Sequence, residues 1–303
     1  MKPAETFSIT ADDGHRFEAS LHATADPTAP VLLFLPALGT PSRVYRGFAT
    51  ALAAQGVQVC ITDWRGMASS SVRASRGHNH GYQTLVETDV TALLAQLARR
   101  VPQAALWVGG HSLGGQLATL LAARQSPPVR GLVLVASGSV YRRCYSPSLQ
   151  IGIRFLGLMA AITGALIGYF PGRRFGFGGR EARGVMDDWL HVARTGRYEP
   201  AGSTFDYETA LRRLTLPVLA LNFRRDTWAP EAAARHLLDK LAAADRHPWI
   251  WGDAETDGQP LDHFSWARKP DLVAAPVAQW IYQHSTAHSR ESAPNSYVIY
   301  SYK

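Results

Sequence analysis

A serine flanked by glycines is the part of this 303-residue sequence with the clearest chemical meaning. Residues 110–114 read Gly-His-Ser-Leu-Gly, which is a G-x-S-x-G pattern with Ser112 at its centre. Apolar residues before it predict a strand over 104–108, and those after it predict a helix over 113–124. A serine on such a strand-to-helix turn is an exposed nucleophile, and the N-terminus of the helix favours developing negative charge. Because the pattern is short, its partner residues must decide its meaning.

A serine hydroxyl needs a general base, and the base needs an acid that orients it. Asp226 is the candidate acid, because it follows the strand predicted over 217–223 at its carboxyl end, where the sites of α/β sheets collect. His263 is the candidate base, at the end of a polar loop after the strand predicted over 247–251. Asp257 is the fallback acid, and the alternative for Asp226 is a surface ion pair with a neighbouring arginine.

Two backbone N–H groups are the candidates for an oxyanion hole. The first is that of Leu113, directly after the nucleophile. The second should come from the loop after the early central strand, which reads Leu-Pro-Ala-Leu-Gly-Thr over 35–40. Pro36 has no N–H, so we favour Leu38 over Ala37 as the second donor.

The elements that must position these groups alternate between strand and helix over 15–136. The strands are short and apolar throughout, as strands are when helices cover both faces of a parallel sheet. The alternation stops over 137–213 and resumes afterwards. We therefore predict an α/β core, formed by 1–136 and 214–285, with a helical cap inserted at 137–213 before the late strands. The polar tail 286–303 is predicted to be disordered.

These motifs together resemble the α/β-hydrolase family over about 15–285, and in particular a bacterial subgroup of that family. The resemblance is carried by the segments LPALG, DWRG, GHSLGG, Asp226-x-x-Ala-Pro and His263-Phe264. It implies the α/β-hydrolase fold, with a mostly parallel central sheet, and a serine hydrolase that needs no cofactor or metal. Two positions depart from the family pattern: Pro36-Ala37 stands where His-Gly is common, and Asp262 stands where glycine is frequent.

The predicted activity is cleavage of a small-molecule carboxylic ester or thioester of an apolar acyl group, through an acyl-serine intermediate. Two alternatives stay open: an acyltransferase on the same triad, and a binding protein on a catalytically silent hydrolase fold. An aminopeptidase would need acidic residues in the cap to hold the substrate ammonium. The cap offers Glu181, Asp187 and Asp188, which is too little to favour that activity.

Composition narrows the possible partners. The net charge is +7, but the arginines are scattered and no nucleic-acid-binding signature is present, so nucleic acid is not an expected partner. Two cysteines cannot form a disulfide framework or a four-thiolate zinc site, and His78-Asn79-His80 lacks further metal ligands nearby. With no signal-peptide pattern at the N-terminus, we expect a cytoplasmic protein. The sequence leaves the oligomeric state open.

An uncharged stretch over 155–172 reaches the lower length limit for a membrane span. We interpret it as cap helix over the active site that lines an apolar acyl pocket; interfacial membrane contact and a span are the alternatives. Four arginines lie close to it in the cap, at Arg173, Arg174, Arg180 and Arg183. Peripheral contact with a lipid surface through the cap is therefore a possible additional interaction.

Overall fold

An eight-stranded sheet forms the centre of the protein. The computed structural model describes residues 3–124 and 128–291, with side chains to residue 285. The strands of this sheet are β1 (Glu5–Thr10), β2 (Arg16–His22), β3 (Val31–Leu35), β4 (Gln58–Thr62), β5 (Leu106–His111), β6 (Leu132–Val135), β9 (Pro217–Phe223) and β10 (Asp245–Trp251); β7 (Tyr169–Pro171) and β8 (Arg180–Ala182) form a separate pair.

The strand order is β1-β2-β4-β3-β5-β6-β9-β10. The β1–β2 and β2–β4 pairs are antiparallel, and the remaining pairs are parallel. The carboxyl ends of β5 and β9 therefore lie at the same edge of the sheet, where Ser112 and Asp226 follow them. This is the mixed, mostly parallel sheet that the sequence predicts.

Neighbouring residues of a strand point to opposite faces of the sheet. Because the central strands are apolar on both faces, helices cover both. The helices are α1 (Arg46–Ala54), α2 (Thr91–Arg100), α3 (Leu113–Ala123), α4 (Pro147–Ile167), α5 (Arg183–Thr195), α6 (Tyr207–Arg213), α7 (Glu231–Asp239) and α8 (Pro270–Glu291). Val31 and Leu33 of β3 join an apolar cluster with α2 and α3, whereas Leu32 and Phe34 join one with α1 and α8. Both faces of the central strands are thus core, which explains why β3 is apolar throughout, whereas β1 and β2 alternate between buried and exposed residues.

The region 137–213, predicted as the cap, contains α4, α5 and α6 together with the β7–β8 hairpin. Two glycines meet where this cap contacts the core. Gly39 has a φ of 66°, and a Cβ at that position would overlap the backbone of Gly178. The cap hairpin region therefore packs directly on the loop that follows β3.

The structure differs from the sequence prediction in several elements, among them the β7–β8 hairpin in a cap that was predicted to be helical. The edge strand β1 was not predicted, and its alternating burial gives it only one core face. A π-helical stretch, Thr84–Val90, precedes α2 within the predicted helix over 82–100. Helix α8 extends to Glu291, six residues into the predicted disordered tail, and residues 292–303 lie outside the described residues.

Candidate active site

Ser112 lies on a tight turn between β5 and α3, in a backbone conformation that is rare for a residue with a side chain. Its φ is 53° and its ψ is −118°. A Cβ on Gly110 would lie 2.6 Å from the carbonyl oxygen of Leu35, and a Cβ on Gly114 would overlap the same oxygen. The two glycines of the motif are therefore required by the close approach of β3, as the predicted elbow demands.

Ser112, His263 and Asp226 form one hydrogen-bonded line. The Ser112 hydroxyl lies 3.0 Å from Nε2 of His263, and Nδ1 of His263 lies 2.8 Å from Oδ2 of Asp226. The histidine and aspartate are 4% exposed, so water does not compete strongly for these hydrogen bonds. With Nδ1–H donated to the carboxylate, Nε2 accepts from the serine, which is the tautomer a general base needs.

Asp226 is held by backbone as well as by His263. Its Oδ1 accepts hydrogen bonds of 2.8 Å from the N–H groups of both Trp228 and Ala229. The surface-pair alternative does not hold, because Arg225 pairs instead with Asp253. Three donors thus fix the orientation of the Asp226 carboxylate.

Neither of the other nearby acids enters the site. Asp262 accepts from the N–H groups of Phe264 and Ser265, so it caps the short helical turn after His263. Asp257, the fallback acid, lies in a surface loop in a left-handed conformation with a φ of 51°. Only Asp226 among these three contacts the imidazole.

The loop after β3 presents free backbone donors beside the nucleophile. The Ala37 N–H donates to the Tyr45 hydroxyl at 3.0 Å, so it is already engaged. The N–H groups of Leu38 and Leu113 have no acceptor among the described residues. Ala37, Leu38 and Ser112 all line the same cavity. This arrangement favours Leu38 over Ala37 as the second oxyanion donor, and the assignment stays a prediction.

Tyr45, which the sequence did not single out, and Trp64, from the DWRG segment, hold this loop in place. The Tyr45 hydroxyl accepts from Ala37 and lies 2.8 Å from Nδ1 of His111, next to the nucleophile. The Trp64 indole N–H donates to the Pro36 carbonyl at 2.7 Å. Tyr45 was recognisable in sequence only as a helix position, so no spacing signal could have found this role. The turn at 63–66 thus has a structural role in this protein.

His111 is kept neutral beside the catalytic histidine. Burial, followed by the nearby His263, places the pKa of His111 well below its usual range. The two imidazole centroids are 4.7 Å apart. A neutral His111 adds no positive charge next to His263, which must accept a proton during catalysis.

An apolar cavity of about 450 Å³ opens above Ser112. Cap and core contribute to its wall, and most of the lining side chains are apolar. These include Leu38, Val140, Leu149, Ile153, Phe155, Leu156, Phe175, Phe177, Trp189, Trp228 and Phe264. Its polar side chains are Ser112, Gln116, Tyr145, Thr227 and His263, and no acidic side chain is among the lining residues. The cavity therefore suits an uncharged, apolar group attached to a carbonyl.

The cap acids that an aminopeptidase would require are engaged elsewhere. Asp188 is buried and accepts from the N–H groups of Tyr82 and Ala201. Asp187 is exposed and pairs with Arg183. Glu181 is buried and accepts from the N–H of Gly179, in the loop that packs on Gly39. Each of these acids has a structural partner, and none reaches the catalytic cavity.

Glu181 makes stability depend on pH. Burial raises the pKa of its carboxyl from the usual 4.5 to about 7. Since the folded protein binds this proton more tightly than the unfolded chain, the free energy of unfolding falls as the pH rises from about 4.5 to 7. We expect Glu181→Gln, which keeps an acceptor oxygen, to lose less thermal stability between pH 5 and pH 8 than the wild type. Melting temperatures across that range measure this.

The matched control is Glu18→Gln, an exposed glutamate on β2. It should follow the wild-type curve. Parallel curves for the wild type and Glu181→Gln would show that Glu181 does not titrate in this range.

The described residues contain one cluster with metal-ligating side chains, Asp245, His247 and His284. It lies at the amino end of β10, on the opposite edge of the sheet from Ser112. His247 already bonds to Asp245, and His284 bonds to the Trp280 carbonyl. The pair His78 and His80 does not belong to this cluster. Neither group can act on a substrate in the catalytic cavity.

Comparison with known proteins agrees with the fold described above. Residues 26–171 match the family model described as serine aminopeptidase, S33. This match includes Ser112 and α4 but neither Asp226 nor His263. No curated protein matches the sequence.

Solved structures match over nearly the whole chain at low identity. Est1E from Butyrivibrio proteoclasticus, with ferulic acid bound, has 14% identity and a TM-score of 0.62, and the match covers 92% of this chain and 99% of that one. The esterase domain of a Rhodothermus marinus protein has 16% identity and a TM-score of 0.59, with 93% and 99% covered. A haloalkane dehalogenase loop variant from Bradyrhizobium elkanii has 18% identity and a TM-score of 0.65, with 95% and 100% covered. These matches confirm the predicted fold.

Proposed function

We propose that the chain belongs to the α/β-hydrolase superfamily and is a serine hydrolase of carboxylic esters or thioesters with an apolar acyl group. The observation that carries the proposal is the hydrogen-bonded line from Asp226 through His263 to Ser112. This line ends in a cavity with an apolar wall and two unengaged backbone N–H groups.

In the first half of the proposed reaction, Ser112 Oγ attacks the substrate carbonyl carbon and its proton passes to Nε2 of His263. The carbonyl oxygen becomes an oxyanion, which accepts hydrogen bonds from the N–H groups of Leu38 and Leu113. The Asp226 carboxylate stabilises the imidazolium that forms. Collapse of the intermediate breaks the bond to the leaving oxygen or sulfur, and His263 returns the proton to it.

In the second half, water attacks the acyl-serine and gives its proton to His263. Collapse of the second intermediate breaks the bond to Ser112 Oγ, which recovers its proton, and the carboxylic acid leaves. The engaged cap acids argue against an aminopeptidase, because a substrate ammonium would find no carboxylate in the cavity. An uncharged acyl ester has no ammonium group that would be buried without a partner.

Aromatic side chains in the cavity favour a flat or extended apolar acyl group. Trp228 stacks on Phe177 at 5.9 Å and packs against His263 at 6.2 Å, so its indole borders the reaction centre. Est1E, which has the same fold, binds ferulic acid, an aromatic acid, in its solved structure. Aromatic acyl esters therefore belong in the substrate panel beside aliphatic ones.

A panel of activated esters from acetyl to long-chain and aromatic acyl groups tests the proposal. We expect kcat/KM to rise with the apolar area of the acyl group until it exceeds the cavity. Trp228→Ala should reduce the ratio of kcat/KM for hexanoyl over acetyl esters by roughly tenfold, since burial against an indole is worth about 1.5 kcal/mol or more. Initial rates with and without alcohol acceptors also separate hydrolysis from acyl transfer.

The matched control is Phe205→Ala, another exposed aromatic residue that does not line the cavity. Its chain-length ratio should equal that of the wild type. The absence of both turnover and a burst with every activated ester would instead support the silent binding protein.

A further inference from the structure

Helix α4 of the cap carries an apolar face that the described residues leave largely exposed. Among its 21 residues, only Ala160 and Gly164 are buried. Ile151 and Leu166 are 67% and 65% exposed, and Phe155, Leu158 and Ile162 are exposed as well. At about 100° per residue, these five side chains fall within an arc of about 80°. We call this set the cap stripe. A continuous apolar face of this length marks an interaction surface.

The helix does not cross a membrane, although it is the one described helix long and apolar enough to do so. Its 21 residues measure about 31 Å, so a span would place its two ends on opposite sides of a bilayer. Both ends instead contact the core. Tyr145, two residues before the helix, donates to the Trp228 carbonyl, and Arg76 donates to the Leu166 carbonyl at the other end.

The charge around the stripe is predominantly positive, and the exposed Asp187 of α5, which lines a groove with Arg154, is paired with Arg183. The segment 137–180 contains no aspartate or glutamate, and its arginines are Arg142, Arg143, Arg154, Arg173, Arg174 and Arg180. Arg154 is exposed beside Phe155 on α4, and Arg173 and Arg174 are exposed after β7. A second copy of the chain would bring the same positive charge to a symmetric contact. An anionic surface complements it.

The stripe is continuous with the mouth of the catalytic cavity. Phe155 belongs to the stripe and also lines the cavity. Leu149 and Phe175 do not belong to the stripe, but both are exposed and line the cavity as well. An apolar chain that leaves a surface covering the stripe therefore passes directly into the cavity above Ser112.

We propose that the cap stripe docks on the surface of an anionic phospholipid bilayer, with α4 lying in the interface and the arginines at the headgroups. The docking itself is independent of the chemistry of Ser112. Delivery of an acyl chain from the bilayer to Ser112 rests on the proposed function.

Co-sedimentation of the full chain with vesicles tests the docking. Phosphatidylcholine vesicles are compared with vesicles that contain about one third phosphatidylglycerol. The stripe variant is Leu158→Gln with Ile162→Gln and Leu166→Gln, none of which lines the cavity. The charge variant is Arg154→Gln with Arg174→Gln. Its matched control is Arg99→Gln with Arg213→Gln, which are exposed before the amino ends of β5 and β9, at the opposite edge of the sheet.

We expect the wild type to bind anionic vesicles at least tenfold more tightly than zwitterionic ones. The stripe variant should lose at least tenfold in affinity for both, and the charge variant should lose the preference for anionic vesicles. The arginine control should bind as the wild type does. Each variant should keep its melting temperature and its kcat/KM on a soluble acetyl ester.

Failure of the wild type to bind, or equal binding by the stripe variant, would overturn the proposal. So would a dimer in solution that the stripe substitutions dissociate, since the stripe would then cover a second copy. Binding by Ser112→Ala is expected to equal that of the wild type. Docking can thus be judged even if no ester is hydrolysed, which separates its failure from failure of the proposed function.

Discussion

Ser112→Ala is expected to lower kcat/KM for an activated ester by roughly 10⁴- to 10⁶-fold, because it removes the only atom that can form the acyl-enzyme. Alanine fits the site without new contacts, since it is smaller than serine and shares its Cβ. The unengaged N–H groups of Leu38 and Leu113 remain, so a small residual rate from water attack is expected. Initial rates and labelling by a fluorophosphonate probe measure the effect.

Ser8→Ala is the matched control, because Ser8 is an exposed serine on the edge strand β1. It should retain wild-type rates and labelling. Equal labelling of the wild type and Ser112→Ala would refute Ser112 as the nucleophile. A melting temperature for Ser112→Ala near that of the wild type excludes loss of folding as the cause of inactivity.

Asp226→Asn is expected to lower kcat by about 10⁴-fold, although it changes one atom. The carboxylate accepts from three N–H donors, those of Trp228, Ala229 and His263. An asparagine has only one acceptor oxygen and must turn its amide group toward either the backbone or the imidazole. If the asparagine NH2 group faces the backbone, it meets two N–H donors and no acceptor. If it faces His263, it donates to Nδ1, so the imidazole proton must sit on Nε2, which then cannot accept from Ser112.

Asp262→Asn is the control for this substitution, because Asp262 directly precedes His263 in sequence. Asp262 caps the turn with one side-chain oxygen, and asparagine caps as well as aspartate does. Its kcat should stay within about twofold of the wild type. A large loss of kcat for Asp262→Asn together with a small loss for Asp226→Asn would show that Asp262, and not Asp226, orients His263. Pre-steady-state labelling by the fluorophosphonate probe should fall in parallel with kcat.

The two catalytic substitutions should not be additive. Asp226 acts only through His263, and His263 acts only by accepting the Ser112 proton, so removal of the serine leaves the others with nothing to activate. The double variant Ser112→Ala with Asp226→Asn should therefore be about as slow as Ser112→Ala alone. An independent further loss would mean that Asp226 also contributes to substrate binding.

The sequence by itself determined the order of the chemistry along the chain. The G-x-S-x-G pattern required a strand before Ser112 and a helix after it, and apolar strands required helices on both faces of a parallel sheet. From these local rules, the acid had to follow a late strand, and Asp226 does. The bounds of β9 were predicted to the residue, because all of its residues are buried and nearly all of them are apolar.

Only the tertiary structure decided which polar groups are free to act. Ala37 and Leu38 are equivalent in sequence, but the hydroxyl of Tyr45, in the short helical turn Ser42–Tyr45 that follows the loop, engages the N–H of Ala37. The apolar stretch over 155–172 was interpreted as a cap helix that lines an apolar pocket. Phe155 and Leu156 of α4 do line the cavity, but one face of the helix lies in the open. Hydropathy reports how apolar a segment is, whereas its neighbours in space decide whether that surface is covered.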